Sequence, residues 1–383
     1  MPHSMARLAF LALIITVVDT NPVLATPAVS VPFTAGNWTA HGNATFLTRE
    51  AFPGGLLQVT SDSEEGYVTL TDGVFSSGTI DVDIKPVNDQ MPGVRFRQGP
   101  DGTAEMVYIR ASPDCPASQD CLQYVPLLHG RILWDMYPQF QASAPVVPDV
   151  WNHLRLVVAG RRLAVFVNHQ SEPSLTARLQ GEGSSGTLAL EGKAVYANLT
   201  ITPALPKGIV WRTPDAPQQA GSMVTRWAVT PPAPLGHAGE PTADDQPTVG
   251  WAALPVDEGG LVNLARRFPP TARGALRQYA WLRTTLVAAH AQTRHVALGF
   301  LREVAVFVNG KEVFAGKNLY NVPGSRLPPD GRLSLDNAGF DIELKKGLNN
   351  VVVAIDANTP DMRGRYGWGL EMKLDKAEGI RGL

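Results

Sequence analysis

The chain has 383 residues, a formal net charge of −2 and 44% hydrophobic residues. That near-neutral balance gives no electrostatic reason for nucleic acid or an anionic membrane surface as partner. The length suits two domains of roughly 150–200 residues each, and 36 Gly with 31 Pro favour many short strands over long helices.

The N-terminus reads as a secretory signal, residues 1–25. Arg7 supplies the positive n-region, LAFLALIITVV at 8–18 the apolar stretch, and Val23-Leu24-Ala25 a small-residue cleavage site. The apolar stretch falls short of the ~20 residues a membrane span needs. The chain is therefore expected to be secreted or periplasmic, with no membrane span. Its two cysteines, Cys115 and Cys121 in SPDCPASQDC, are expected to pair in that compartment.

Strand signals begin with GTIDVDI at 78–84, where Thr79, Asp81 and Asp83 share one face and Ile80, Val82 and Ile84 the other. GVRFR at 93–97 sets Arg95 and Arg97 opposite Val94 and Phe96. EMVYIR at 105–110 sets Met106, Tyr108 and Arg110 opposite Val107 and Ile109. Two strands follow at 151–166, split near Gly160, and two more at 186–190 and 194–201. No segment carries a long 3.6-residue period.

WNHLRLVV at 151–158, FVN at 166–168, and GTLAL at 186–190 followed by AVYANL at 194–199 resemble the concanavalin A-like lectin/glucanase jelly roll in its laminin-G-like form. A branch of keto-glycoside-hydrolase type shares that pattern. The resemblance covers about 40–202 and implies a β-sandwich of the first domain, taken as 30–203. It leaves function open among lectins, glycosidases and adhesion modules. The glucanases of this fold carry Glu-x-Asp-x-x-Glu on one strand. Here the matching strand reads Asp81-Val82-Asp83-Ile84-Lys85, with no Glu at either end.

Residues 204–248 form a Pro-rich connection with room for one short strand, MVTRWAV at 223–229, and Trp211 and Trp227 are expected to pin it to a domain surface. Strand signals resume at 279–287, 295–299 and 304–309, where Asn309-Gly310 is a two-residue hairpin turn. They continue at 312–315, 340–344, 351–355 and 366–372. VFVNGK at 306–311, LKKGLN at 344–349 and GWGL at 367–370 occur in the order seen in galactose-binding-like jelly rolls, and this half, 249–376, resembles that module. A tail of 377–383 closes the chain. The fold class is therefore all-β, two antiparallel sandwiches joined by the Pro-rich connection.

The residues suited to a ligand cluster in the first half. Sugars are held by flat aromatic faces and planar multidentate side chains. Arg95, Arg97, Tyr108 and Arg110 are expected to line a concave face, with Gln123, Tyr124, His129, Trp134 and Tyr137 on a covering segment. Asn318, Tyr320 and Trp368 are the candidates on the second domain's rim. The leading expectation is an exported protein binding an oligo- or polysaccharide. The alternatives are a glycoside hydrolase, using Glu105 with Asp81 or Asp83, and a structural or adhesion protein. No Gly-rich phosphate loop, Gly-x-Ser-x-Gly or His-Glu-x-x-His occurs. No cofactor is indicated, and calcium stays open because lone Asp residues on loops do not define a site.

Overall fold

A computed structural model describes residues 27–61, 66–87, 91–206, 208–209, 211, 222–271, 276–358 and 365–383. The expected signal segment, 1–25, lies outside them, as does 212–221 of the Pro-rich connection. Every strand pair is antiparallel, and the described helical turns are short 3₁₀ segments.

Two sheets drawn from residues 29–202 face each other. The first, sheet A, runs Leu175–Arg178, Arg162–Val167, Asn152–Ala159, Gly78–Pro86, Ala194–Thr202, Phe52–Val59, Ala44–Arg49. The second, sheet B, runs Arg131–Ile132, Leu122–Leu128, Ala104–Ile109, Gly93–Gln98, Thr187–Glu191, Tyr67–Leu70, Trp38–His41. Period-two alternation explains the layer between them. Ile80, Val82 and Ile84 point inward from sheet A and meet Val94, Phe96, Val107 and Ile109 from sheet B in one core. A disulfide joins Cys115 to Cys121 and closes the loop after Ala104–Ile109.

Two further sheets come from residues 227–381. Sheet C runs Ala252–Leu254, Trp227–Val229, Tyr279–Ala288, Gly347–Asp356, Arg302–Val308, Lys311–Asn318; sheet D runs Val262–Asn263, Gly369–Leu374, Gln292–Phe300, Ala338–Leu344. Trp227 is buried in the core between these sheets, so the strand expected inside the Pro-rich connection belongs to sheet C. Trp211 lies beneath the Arg162 guanidinium, 4.7 Å from its ring centre. At the hairpin turn Asn309 and Gly310 both have positive φ, 52° and 84°, which the two-residue turn needs.

The two halves share buried surface. Leu261, Ala265, Leu301 and Leu333 from the C-terminal half pack into the core of the first sandwich. Tyr137 donates to Asp257 at 2.9 Å, and Arg266 donates to the Gln180 carbonyl at 2.8 Å. Buried Asp135 accepts from the Gly367 amide at 2.9 Å, and its own carbonyl takes the Leu333 amide. These contacts join the first sandwich to loops of the second half.

Candidate functional site at the junction of the two halves

The strand registers of sheet B place one transverse row of residues on its outer face. Gln141 pairs with Gln123, Gln123 with Tyr108, Tyr108 with Gly93, Gly93 with Glu191, Glu191 with Tyr67, and Tyr67 with His41. The next row holds Val125, Met106, Arg95, Ala189 and Thr69. Gly93 is required at the crossing, because a Cβ there would lie 2.4 Å from the Val107 carbonyl oxygen.

At one end of these rows lies a cleft of about 120 Å³. Sheet B supplies Met106, Tyr108, Arg110 and Glu191; the turn after Arg131–Ile132 adds Trp134; the second half adds Tyr320, Asp330, Arg332 and Tyr366. The volume is below the ~300 Å³ of ordinary small-molecule pockets, so it seats one ring or a chain end.

Three aromatic rings stand edge to face at the mouth. Trp134 and Tyr320 are 4.6 Å apart at 76°, Trp134 and Tyr366 5.9 Å at 88°, and Tyr320 and Tyr366 6.4 Å at 89°. The Arg332 guanidinium lies 5.3 Å over Trp134, and Arg326 lies 4.3 Å over Tyr320 while pairing with Asp330 at 2.9 Å.

Polar groups beneath are tied to one another. Tyr108 donates to Gln123, which also accepts from Gln141 at 2.9 Å, and Gln141 accepts from Arg332. Burial pushes the Tyr108 hydroxyl up to about 12, so it remains a neutral donor. Arg110 pairs with Asp120. Arg95 pairs with buried Glu191 and stacks 4.9 Å over Tyr67. Burial pushes the Glu191 carboxyl up to about 7, even against the pull of Arg95.

The structure brings together four of the residues expected from sequence: Tyr108, Arg110, Trp134 and Tyr320. Gln123 supports Tyr108 from below, and Arg95 lies one row away on the same face. The others fall elsewhere. Arg97 was expected beside Arg95, but a bulge intervenes: the pairing with Thr187–Glu191 shifts register there, and Arg97 takes φ 54°. Its buried guanidinium donates to the Ser76 carbonyl at 2.9 Å and the Gly160 carbonyl at 2.7 Å. Leu122–Leu128 is a strand rather than a covering segment, so Gln123 and Tyr124 point to opposite faces. Tyr124 is in the core. Tyr137 is buried between the halves, and His129 pairs with Asp101 on a loop.

Among the rim candidates, Asn318 is fully buried, donating to the Phe300 carbonyl at 2.9 Å and accepting from the Leu327 amide at 3.1 Å. It fixes the loop that carries Tyr320. Trp368 is also fully buried, in the second core.

The catalytic candidates are separated from the cleft. Glu105 points between sheets A and B, where it accepts from Tyr124 at 2.6 Å and from the Gly181 amide at 3.1 Å. Burial pushes its carboxyl up to about 7, although those hydrogen bonds pull it down. Asp81 and Asp83 stand on the outer face of sheet A, the opposite side of the sandwich. His153 bridges them at 3.1 and 2.7 Å. Burial raises both carboxyls, but hydrogen bonds from His153, with Arg155 on Asp81 and Asn198 on Asp83, more than offset it and leave both lowered. Neither aspartate is therefore a proton donor at neutral pH. No cluster of three or more His, Cys, Asp or Glu suited to a metal occurs among the described residues, and no helix among them is long and apolar enough to cross a membrane.

Sequence reasoning missed Glu191, Asp330, Arg332 and Tyr366. The Arg332 and Tyr366 signals were not legible locally, because each sits in an irregular loop without period.

No family model matches the chain, and no curated protein matches it. Solved structures similar to it include the carbohydrate-binding module CBM66 from Bacillus subtilis, at 16% identity over 43% of this chain and 96% of that one, TM-score 0.33. The Bacillus licheniformis β-glucanase is similar at 14% identity over 46% and 98%, TM-score 0.32. The exoplasmic/lumenal domain of VIP36, solved with Ca²⁺ and Man3GlcNAc, is similar at 10% identity over 49% and 91%, TM-score 0.33.

Proposed function

We propose that the chain is an exported carbohydrate-binding protein whose ligand enters the cleft between sheet B and the loops of the second half. One observation carries this reading: Trp134, Tyr320 and Tyr366 stand edge to face beside Tyr108, Arg110 and Arg332 in a single concavity. Ring faces take the C–H surface of a sugar, and the hydroxyl and guanidinium donors take its oxygens. This binding chemistry uses side chains alone and needs no cofactor. The Cys115–Cys121 disulfide supports an oxidising compartment.

A second reading, a glycoside hydrolase, is favoured by Glu191. It lines the cleft, and its raised carboxyl is partly protonated near neutral pH, as a general acid must be. Asp330 is the other acid in the lining.

An oligosaccharide panel titrated against the full chain, followed by Trp fluorescence, tests both. Binding without turnover is expected, and Trp134→Ala weakens it at least tenfold (about 1.4 kcal/mol) with circular dichroism unchanged. Unaltered binding in Trp134→Ala and Tyr320→Ala removes the cleft from consideration. Release of reducing ends that Glu191→Gln abolishes establishes the hydrolase instead.

A further inference from the structure

One guanidinium of the cleft lacks a carboxylate partner among the described residues. Arg110 is matched by Asp120, Arg326 by Asp330, and Arg95 by Glu191. Arg332 lines the same cleft and has no carboxylate partner among the described residues. Among the described residues its guanidinium makes one hydrogen bond, from Nη1 to Gln141, and its Nε is buried without a partner. The ring of Trp134 beneath it fixes the guanidinium plane. A positioned guanidinium with unused donors, set against an aromatic wall, matches a planar or tetrahedral anion. A neutral sugar hydroxyl accepts from one of these donors but leaves the charge unmatched.

Building on the carbohydrate reading, we infer that the ligand is an acidic saccharide, whose carboxylate or sulfate pairs with Arg332 while its ring packs on Trp134 and Tyr320. Asp330, paired with Arg326, lines the same cleft, where its charge limits affinity for such a ligand and disfavours anions that lack a ring to stack.

The test is calorimetric titration of the full chain with three probes: galacturonic acid oligomers, heparin-derived oligosaccharides, and neutral galactose and glucose oligomers. Quenching of Trp134, lost in Trp134→Ala, marks binding in the cleft. The expected result is preferential binding of one or both acidic probes, weakened by raising NaCl from 0.15 to 0.5 M and weakened at least tenfold by Arg332→Gln. The two acidic probes separate carboxylate from sulfate. Asp330→Asn is a second variant at an exposed position with φ 52°, a conformation asparagine tolerates; it strengthens acidic binding severalfold. If Arg332→Gln does not fold, the Asp330→Asn shift decides. Neutral probes binding in the cleft as tightly as acidic ones, or acidic affinity unmoved by the variants, overturns the inference and leaves the carbohydrate reading standing. Absence of every probe from the cleft removes both.

Discussion

At the scale of single residues, burial decides which polar groups act and which merely hold. Glu105 and Glu191 share sheet B and both are pushed up to about 7 by burial, yet they face opposite sides. Glu191 lines the cleft. Glu105 closes the sandwich end, and a Cβ on Gly181 would lie only 2.7 Å from its Oε1. This gives a pH prediction. A carboxyl whose pKa rises from 4.5 to about 7 on folding binds its proton more tightly in the native state. Its stabilisation is therefore complete below about pH 4.5 and is lost as pH climbs through 7. Glu105→Gln cannot ionise, so its melting temperature relative to the parent is expected to rise between pH 4.5 and 8. A parallel pair of stability curves over that range would show that the carboxyl does not titrate there.

At the scale of elements, the same short string is used twice, and in the first copy Leu163, Val165 and Val167 face the core. LAVFV at 163–167 and VAVFV at 304–308 nearly repeat. In the second, Val304, Val306 and Val308 face the core, while Ala305 and Phe307 face outward beside Trp281, Val352 and Ala354. That outer face is covered by Leu235 and Ala243 from the proline-dense segment and by Trp251 just after it. Trp251 is held by its indole bond to the Pro247 carbonyl at 2.8 Å and by Arg283, 4.3 Å over its ring. The prolines keep this strap extended and donate nothing to a ladder. Trp251→Ala is expected to cost on the order of 2 kcal/mol, below the ~3–5 kcal/mol of a fully buried Trp. It should also speed proteolysis within 222–260. Denaturant melts and timed digestion check both; an unchanged midpoint would mean the strap contributes no packing.

At the scale of the whole molecule, the junction is part of the core. Leu261, Ala265, Leu301 and Leu333 bury themselves in the first sandwich. Asp135, Arg131 and Arg302, all fully buried, sit at the same boundary, where they hydrogen-bond to backbone groups of Gly367, Pro269 and Ala357 and losing those bonds is costly. One cooperative calorimetric transition is expected for the full chain, since neither half can open without exposing that surface. Two resolved transitions would show the halves to be independent, with the cleft free to open.

Much of the architecture was legible locally. Alternation in GTIDVDI and EMVYIR set which side chains enter the core, and Asn309-Gly310 set a hairpin. The site was legible only in part. Tyr108, Arg110, Trp134 and Tyr320 were identifiable by residue type, but Arg97 was lost to a bulge and Tyr124 to strand parity. Sequence by itself determined the all-β class, the strand faces and the aromatic and guanidinium inventory, because period, turn chemistry and residue type act over a few neighbours. Only the tertiary structure decided that residues near positions 108, 134, 191, 320, 332 and 366 meet in one cleft. Packing across long chain separations brings them together, and no local signal encodes it.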